Sequence, residues 1–442
     1  MTLKETRGIG PTMTVTPAVG LIDEPLHIVV RRLQPGASVT VRAHLMDPRG
    51  VPWSSHATYR ADAEGSVDLT RQAPIAGTYT GVDGEGLIAS LAVTGHSPSR
   101  TFDSTDIAPL VVEFVAELGA QRVAHAQAHR LYVAAGVQAT TLHEDRLSGL
   151  FFRPAADEPR PGVIVLGGSS GKLLFASQVA ALLAGHGFPS LALAYFGLDG
   201  LPPDLVEIPI GYFRSAIARL SSQPGVRPDA IGVVGRSRGA ELALLLGSRV
   251  SAIRSVVAYC PSSIVWNGLR GATPIDASAW RESDRPVPFL SLMAADLADL
   301  RSRVFHADPV ALTPLFEAAL DRPVPPEAII PVEQTNGPIL LISGDDDRMW
   351  PSARMGDQIL ERLEAHGHPF RSRHCRYQRA GHLMRPPGVP TSVLHNMMAF
   401  GGDGPAQAAA NRAAWRETVA FLRASLGLHS KTDAPTMVGV QE

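Results

Sequence analysis

The feature that most constrains the fold is an alternation of apolar runs and helical patterns along the carboxyl-terminal two thirds of the chain. Each run is short and continuously apolar, as expected for strands buried on both faces of a parallel sheet. Predicted strands lie at Val163–Leu166, Pro189–Tyr195, Ala230–Val234, Ser255–Tyr259 and Pro338–Ser343. This order predicts an α/β domain with a mostly parallel sheet covered by helices on both faces. The last helical pattern, Pro405 to Leu426, is amphipathic and would pack on that sheet.

The preceding part of the chain has the pattern of antiparallel strands. Apolar and polar residues alternate from Val39 to Leu45, and turn sequences such as Asp47–Gly50 separate the short runs. Further strands are predicted at Leu110–Leu118 and Ala124–Tyr132. This pattern predicts an antiparallel β-sandwich. The predicted domains are a sandwich at 1–140, an α/β-hydrolase catalytic domain at 141–430 with a candidate cap at 261–336, and a tail at 431–442.

Length and charge narrow the class of protein. The 442 residues are enough for two buried cores, and 40 basic residues balance 42 acidic ones. We therefore expect neither a nucleic-acid partner nor binding to an anionic membrane surface. The sequence shows no secretory signal and no run of ~20 apolar residues, so we expect no membrane span and a cytoplasmic location. The two cysteines, Cys260 and Cys375, are expected to be core thiols; the oligomeric state stays open.

The pattern G-x-S-x-G occurs twice, each time between an apolar run and a helical pattern. Gly167–Gly171 reads GGSSG, and Gly235–Gly239 reads GRSRG. In a nucleophile elbow, an earlier strand must supply a loop whose backbone N–H groups help to bind the oxyanion. Only the second motif has such a loop upstream within the α/β pattern, so Ser237 is the predicted nucleophile. The predicted oxyanion donors are the backbone N–H groups of Arg238, Gly168, Ser169 and Ser170.

A reactive serine needs a base, and the base needs an orienting acid. In this arrangement the chain order is serine, acid, histidine. A predicted strand runs into GDDDRMWP, where Asp345, Asp346 and Asp347 compete for the role of the acid. We predict Asp347, with Asp346 second. His382, in RAGHLMRPP after the predicted strand Phe370–Tyr377, is the predicted base.

Each of these residues also has a purely structural interpretation: a turn serine, an acidic surface turn and a loop histidine. Their order, each after a strand, favours catalysis. Arg236 and Lys172 are candidate substrate-binding residues that would attract a phosphate or carboxylate; the alternative is that both are solvated or ion-paired. The chain has no H-E-x-x-H, no clustered cysteines and no dinucleotide fingerprint, so we expect neither a metal nor a cofactor.

Six stretches spread over nearly the whole chain are similar to one known family. They are DEPLHIVVRRLQPG (Asp23–Gly36), ATYRADAEG (Ala57–Gly65), HGFPSLALAY (His186–Tyr195), GRSRGAEL (Gly235–Leu242), DDRMWPS (Asp346–Ser352) and AGHLMRPP (Ala380–Pro387). They resemble the acyl-CoA thioesterase / bile acid-CoA:amino acid N-acyltransferase family. The resemblance implies a β-sandwich domain fused to an α/β-hydrolase domain, and a Ser/Cys–Asp–His triad that acts on acyl-CoA thioesters.

Matched by motif, the resemblance implies Ser237 as nucleophile, Asp347 as acid and His382 as base. In the family, conjugating enzymes tend to carry cysteine at the nucleophile and serine goes with hydrolysis. The expected activity is therefore hydrolysis of acyl-CoA to free acid and CoA through an acyl-serine. The alternatives are acyl transfer to an amine or alcohol, an esterase or peptidase that does not use CoA, and a non-catalytic scaffold. The loop Gly167–Gly171 and the candidate cap depart from the family pattern, so the resemblance does not identify which acyl group the enzyme would accept.

Overall fold

The computed structural model describes residues 10–95, 102, 106–143, 147–156, 158–292, 309–392 and 398–428. The amino-terminal elements are β1 (Thr12–Thr16), β2 (Val19–Leu21), β3 (His27–Arg31), β4 (Ser38–Met46), β5 (Pro52–Arg60), β6 (Val67–Asp68), β7 (Ala76–Gly77), α1 (Gly86–Ala89), β8 (Ala92–Val93), β9 (Leu110–Leu118) and β10 (Gln121–Leu131). They form one sheet in the order β1-β3-β6 and a larger one in the order β2-β10-β9-β4-β5-β7, where β8 also pairs with β5.

These two sheets are the predicted antiparallel sandwich. The central strands β4 and β5 bury every second side chain, because successive side chains in a strand point to opposite faces. Pairing is antiparallel throughout the described strands of these sheets, with the exception of the short parallel pair β2–β10. The alternating pattern that predicts strands in this region therefore corresponds to one buried and one exposed face.

The remaining elements follow in chain order. The strands are β11 (Gln138–Leu142), β12 (Ser148–Arg153), β13 (Arg160–Leu166), β14 (Ser190–Ala194), β15 (Ile208–Pro209), β16 (Val226–Arg236), β17 (Ile253–Tyr259), β18 (Asn267–Arg270), β19 (Thr273–Ser278), β20 (Trp280–Glu282), β21 (Arg285–Pro286), β22 (Ile339–Gly344) and β23 (Arg373–Tyr377). The helices are α2 (Leu174–Gly185), α3 (Ile210–Ser221), α4 (Arg238–Arg249), α5 (Thr313–Leu320), α6 (Ser352–Ala365) and α7 (Gly404–Leu426).

An eight-stranded sheet organises this second region, in the order β11-β12-β14-β13-β16-β17-β22-β23. Strand β12 runs antiparallel to both of its neighbours, and all other pairs are parallel. Helices cover both faces, which makes this an α/β-hydrolase fold. Alternate residues of β13 show the two faces: Val163 and Val165 pack with α2 and α7, whereas Ile164 and Leu166 pack with α3 and α4.

Between β17 and β22 the chain leaves the main sheet. This part contains α5 and two small sheets, β18-β19 and β15-β20-β21, of which β15 lies just before α3. It corresponds to the candidate cap at 261–336, whose middle lies outside the described residues, as does the predicted tail. Strand β11 straddles the predicted domain division at residue 140 and lies in the eight-stranded sheet. The division itself stays a prediction. Among the described helices, none combines the length and apolarity needed to cross a membrane.

Candidate active site

Ser237 occupies a sharp turn between the last residue of β16 and the first residue of α4. Its backbone has φ 58° and ψ −124°, a conformation that costs energy for any residue with a side chain. The turn is held by the Ser237 N–H, which donates to the carbonyl of Tyr259 at 2.8 Å. The Ser237 carbonyl accepts from the N–H of Ala240 at 2.8 Å and so begins the helix. These bonds leave the side chain half-buried at the carboxyl edge of the sheet.

The two glycines of the motif are required by close backbone contacts. A Cβ at Gly235 would lie 2.0 Å from the carbonyl oxygen of Gly239. A Cβ at Gly239 would lie 2.2 Å from the carbonyl oxygen of Gly167 and 2.6 Å from that of Leu166. A side chain at Gly235 would therefore push β16 and the start of α4 apart, and one at Gly239 would push α4 away from the end of β13. The motif G-x-S-x-G is a packing requirement of this turn.

The first glycine-rich loop lies beside Ser237. A Cβ at Gly168 would lie 3.4 Å from Cβ of Ser237 and 3.8 Å from its Oγ. Gly168 is buried, whereas Ser169 and Ser170 are exposed. The structure thus brings one of the predicted loop donors next to the predicted nucleophile. Arg238, the fourth predicted donor, opens α4, where a backbone N–H has no acceptor within its own helix.

His382 and Asp347 form a buried hydrogen-bonded pair. Nδ1 of the histidine lies 3.0 Å from Oδ1 and 2.9 Å from Oδ2 of the carboxylate. Both residues are more than nine-tenths buried. Asp347 lies in the turn after β22 and His382 in the loop after β23, so two adjacent parallel strands bring them to one edge. Because Nδ1 faces the carboxylate, Nε2 is the nitrogen left for a substrate or nucleophile.

Further bonds fix the orientation of the Asp347 carboxylate. Oδ1 accepts from the N–H groups of Met349 at 3.0 Å and Trp350 at 3.3 Å, and Oδ2 accepts from the hydroxyl of Ser352 at 2.6 Å. Sequence reasoning missed Ser352, although it opens α6 within the matched motif DDRMWPS. A hydroxyl at the start of the helix that follows the acid is the signal that could have found it.

The neighbouring aspartates point elsewhere. Oδ1 of Asp345 accepts from Nε of Arg376 at 2.9 Å, near the surface. Asp346 accepts from Nε of Arg348 at 2.9 Å and from the N–H of Gly402 at 2.8 Å. Of the three competing carboxylates, Asp347 is therefore the one in contact with His382.

Two contacts place the histidine loop beside the serine turn. Nη1 of Arg236 donates to the carbonyl of Met384 at 3.3 Å, and the Cys260 thiol lies 3.4 Å from the carbonyl oxygen of His382. Cys260 follows Tyr259, the acceptor for the Ser237 N–H. Among the described contacts no hydrogen bond joins Ser237 Oγ to His382. In unliganded active sites this bond is often long and shortens only in the substrate complex.

Cys260, Asp347 and His382 also form a cluster of potential metal ligands. One ligand atom from each lies within 4.8 Å of the others. Burial raises the pKa of the Cys260 thiol well above its ordinary value, and the negative charge of Asp347 raises it further. The thiol lies 3.4 Å from the carbonyl oxygen of His382, and Nδ1 of His382 is already hydrogen-bonded to Asp347. The arrangement therefore fits a hydrogen-bonded His–Asp pair better than a metal site, and the absence of a metal stays a prediction.

Arg238 and Glu241 form a buried ion pair directly behind the serine turn. Nη1 of Arg238 lies 2.7 Å from Oε2 of Glu241, and Nε1 of Trp280 donates to Oε1 at 2.6 Å. Nη2 of Arg238 donates to the carbonyls of Trp266 and Asn267, each at 3.1 Å. Burial raises the pKa of Glu241 to about 7, against the opposing effects of Arg238 and Trp280. The side chain of Arg238 thus ties α4 to the chain segment after β17.

The two candidate substrate-binding cations differ in their surroundings. The guanidinium of Arg236 lies 4.3 Å from the ring centre of Phe175 and also contacts the histidine loop. Its side chain is therefore held by an aromatic ring and a backbone carbonyl, contacts that are neither the solvation nor the ion pairing given as the alternative. Lys172 is exposed, two residues before α2. Binding of substrate by either residue stays a prediction.

Comparisons with known proteins identify relatives along most of the chain. The family described as "Acyl-CoA thioester hydrolase/BAAT N-terminal region" matches residues 23–144, and the one described as "BAAT / Acyl-CoA thioester hydrolase C terminal" matches residues 208–428. Acyl-coenzyme A thioesterase 1 of Mus musculus is 33% identical over 420 residues, covering 92% of this chain and 94% of that protein.

Two other mouse proteins show comparable similarity. The Mus musculus protein named "Acyl-coenzyme A thioesterase 2, mitochondrial" is 32% identical over 423 residues, covering 92% of this chain and 88% of its own length. The peroxisomal succinyl-coenzyme A thioesterase of Mus musculus is 30% identical over 427 residues, covering 92% of this chain and 95% of that protein.

Among solved structures, the chain is similar to a puromycin-hydrolyzing peptidase of Mycobacterium tuberculosis at 13% identity and a TM-score of 0.43. The match covers 93% of this chain and 67% of the peptidase chain. That similarity is too weak to support a conclusion.

Proposed function

The chain belongs to the acyl-CoA thioester hydrolase/BAAT family, and on this premise we propose that it hydrolyses acyl-CoA thioesters to free acid and CoA. The observation that carries the proposal is the buried His382–Asp347 pair beside the strained turn of Ser237. A histidine whose Nδ1 is held by a carboxylate presents Nε2 as a general base, and a serine in such a turn presents its hydroxyl to a substrate. The choice of a CoA thioester as substrate is inferred from the relatives, which are named acyl-coenzyme A thioesterases.

In the first half of the reaction, Oγ of Ser237 attacks the thioester carbonyl carbon while Nε2 of His382 takes the hydroxyl proton. The backbone N–H of Arg238, with those of the Gly168–Ser170 loop, binds the oxyanion; one such donor is typically worth about 3 kcal/mol of barrier. The carbon–sulfur bond then breaks, and the CoA sulfur leaves with the proton from His382. An acyl ester of Ser237 remains.

In the second half, water attacks the acyl-serine carbonyl and gives a proton to His382. The ester bond breaks, Ser237 recovers its proton and the free acid leaves. Asp347 holds the imidazole in the tautomer with hydrogen on Nδ1 and stabilises the imidazolium that forms in each half-reaction. The hydroxyl of Ser352 and two backbone N–H groups keep the carboxylate in place throughout.

An apolar cluster next to the pair suits an acyl substrate. The rings of Trp350 and His382 lie 6.0 Å apart, edge to face, and Phe316 lies 5.9 Å from Trp350. Trp266 continues the row, 4.8 Å from Phe316. Trp266 and Trp350 belong to a hydrophobic cluster distinct from the two large cores, and the partly buried Phe316 packs against that cluster. We propose that the acyl chain lies along this row, so that Phe316→Ala would shift the preferred chain length upwards.

The test is release of CoA thiol from a series of acyl-CoAs of increasing chain length. Wild type should release thiol, and Ser237→Ala should be slower by a factor on the order of 10⁴ or more. The matched comparison is Ser169→Ala, in the other G-x-S-x-G motif, which keeps its backbone N–H and should lose far less activity. Equal rates for Ser237→Ala and wild type would refute the proposal.

The same series separates the alternatives. Glycine, taurine or an alcohol added to the assay would divert product from free acid to a conjugate if the enzyme is a transferase. Simple esters and peptides would be cleaved, and acyl-CoAs left intact, if CoA is not the leaving group. The cytoplasmic location stays a prediction, since one relative is named as mitochondrial and another as peroxisomal.

A further inference from the structure

The loop that carries His382 is held by the side-chain amide of one residue of α7. Oε1 of Gln407 accepts from the N–H of Gly381 at 2.8 Å, and Nε2 donates to the carbonyl of Leu383 at 3.1 Å. The amide therefore bonds to the residue on either side of the histidine. Gln407 is fully buried, so these bonds are not exchanged for bonds to water.

The chemistry of the two partners fixes which way the amide points. A backbone N–H needs an acceptor and a backbone carbonyl needs a donor, and a glutamine amide offers one of each. Nε2 also donates to Oδ1 of Asn411 at 3.0 Å, one helical turn along α7. Oδ1 of Asn411 in turn accepts from the N–H of Arg385 at 3.4 Å. If the amide were flipped, its NH₂ group would face the N–H of Gly381, and two donors would oppose each other.

Other contacts also hold this loop, but the two bonds to Gln407 are made by the residues that directly flank the histidine. The loop lies after β23, outside the sheet, and the N–H of His382 donates to the carbonyl of Phe400 at 2.7 Å. At Gly381 a Cβ would lie 2.3 Å from the carbonyl carbon of Gly401, so the backbone is tightly packed there. A movement of the loop would carry the imidazole with it, because the bonds to Gln407 flank the residue that bears the ring.

We propose that Gln407 is a positioning residue for His382. It holds the imidazole in the position from which the ring can hydrogen-bond to both Asp347 and Ser237. The inference rests on the proposed function. Gln407 touches neither the His382 ring nor the predicted nucleophile among its described contacts. It acts through the backbone of Gly381 and Leu383. A misplacement of about 1 Å at a reacting group can cost on the order of 100-fold in rate.

The test compares Gln407→Met with wild type. Methionine keeps the length and volume of the side chain and removes its amide hydrogen bonds, among them the two to the histidine loop and the one to Asn411. We expect kcat per active site to fall on the order of 10- to 100-fold, with KM for acyl-CoA within about twofold, because binding contacts are untouched. Active sites are counted by titration with a fluorophosphonate. The rate of that labelling should fall together with kcat, since it reports the reactivity of Ser237 without any thioester.

The matched control is Ser425→Ala, near the other end of α7. It removes the 2.7 Å hydrogen bond between the hydroxyls of Ser425 and Ser255, roughly 27 Å along the helix from Gln407. Both variants should lower the unfolding temperature, but only Gln407→Met should lower kcat per titrated site. If Gln407→Met does not fold, Asn411→Ala removes the bond that orients the amide and should lower kcat less, in the same direction.

The outcomes separate the two proposals. If wild type releases no thiol, or Ser237→Ala matches wild type, the proposed function fails whatever Gln407 does. If wild type is active and Gln407→Met has the kcat per site and labelling rate of Ser425→Ala, the positioning role alone is refuted.

Discussion

Nδ1 of His382 lies 2.9 Å from one carboxylate oxygen of Asp347 and 3.0 Å from the other, although 35 residues separate them in the chain. The near-equal distances place the ring nitrogen between the two oxygens of a carboxylate that Ser352 also binds. A ring held in this way keeps one tautomer, and a serine hydrolase depends on that tautomer. The relationship therefore leads directly to the first prediction.

Asp347→Asn should lower kcat for thiol release by a factor on the order of 10³–10⁴, because an amide can donate to Nδ1 and stabilise the wrong tautomer. KM should change little, since no substrate contact is lost. The measurement is steady-state release of CoA thiol, normalised to folded enzyme.

The control for this substitution is Asp345→Asn, two residues away. Its carboxylate binds Arg376 near the surface, so this variant should keep wild-type kcat. Asp346→Asn tests the second choice made from the sequence. A larger loss of kcat in Asp346→Asn than in Asp347→Asn would transfer the role to Asp346.

Chain order alone predicts the fold of the second region and the meeting of acid and histidine, because the carboxyl ends of parallel strands share one edge. It cannot decide among Asp345, Asp346 and Asp347, since all follow the same strand. The bonds of Gln407 also escape sequence analysis, because they join α7 to a loop more than 20 residues earlier through backbone groups that every residue carries.

The amino-terminal region gives no functional signal in the sequence, yet it contacts the histidine loop in the structure. The N–H of Thr391 donates to the carbonyl of Ala89 at 2.9 Å, and Nη1 of Arg385 donates to the carbonyl of Phe102 at 3.0 Å. Backbone acceptors have no sequence signature. This explains why a strand pattern predicts the sandwich but not its contact with the catalytic region.

Native enzyme should keep its activity after treatment with iodoacetamide, and lose it with a fluorophosphonate. Iodoacetamide reacts with the thiolate, and the Cys260 thiol is buried with a pKa raised well above its ordinary value by burial and by Asp347. Residual thiol release after each reagent is the measurement. Cys375, half-buried on β23, is the other reactive candidate, and Cys375→Ser controls for it. Inactivation by iodoacetamide that disappears in Cys260→Ala would contradict the prediction.

The stability of the protein should fall as pH drops below about 6.5, in part through His374. The side chain of this histidine is buried: Nε2 lies 2.7 Å from the Ser343 hydroxyl and Nδ1 lies 3.0 Å from Asp357, with Arg376 and Asp345 nearby. Burial lowers its pKa, and Asp357 opposes that effect without cancelling it. The unfolded chain therefore binds the proton more tightly, so the free energy of unfolding falls with pH, by at most about 1.4 kcal/mol per unit.

Denaturant unfolding at pH 5, 6 and 7.5 measures this dependence. His374→Gln should flatten the difference between pH 7.5 and pH 5 relative to wild type, because glutamine does not titrate. Parallel curves for the two proteins would mean that His374 contributes nothing to the acid sensitivity.

Gly239→Ala should destabilise the protein and impair catalysis, whereas alanine in a helix ordinarily stabilises it. The added Cβ would lie 2.2 Å from the carbonyl oxygen of Gly167, so α4 must move away from β13 and carry the N–H of Arg238 out of place. We expect a loss of about 1–3 kcal/mol in the free energy of unfolding, together with a fall in kcat per titrated site.

Gly211→Ala is the matched control: Gly211 lies in α3, where a Cβ would meet no atom within 4 Å. That variant should match wild type in activity and be stabilised by at most about 1 kcal/mol. Urea unfolding and thiol release on both variants measure the effect, and similar values for the two would show that the glycine is not needed for the turn.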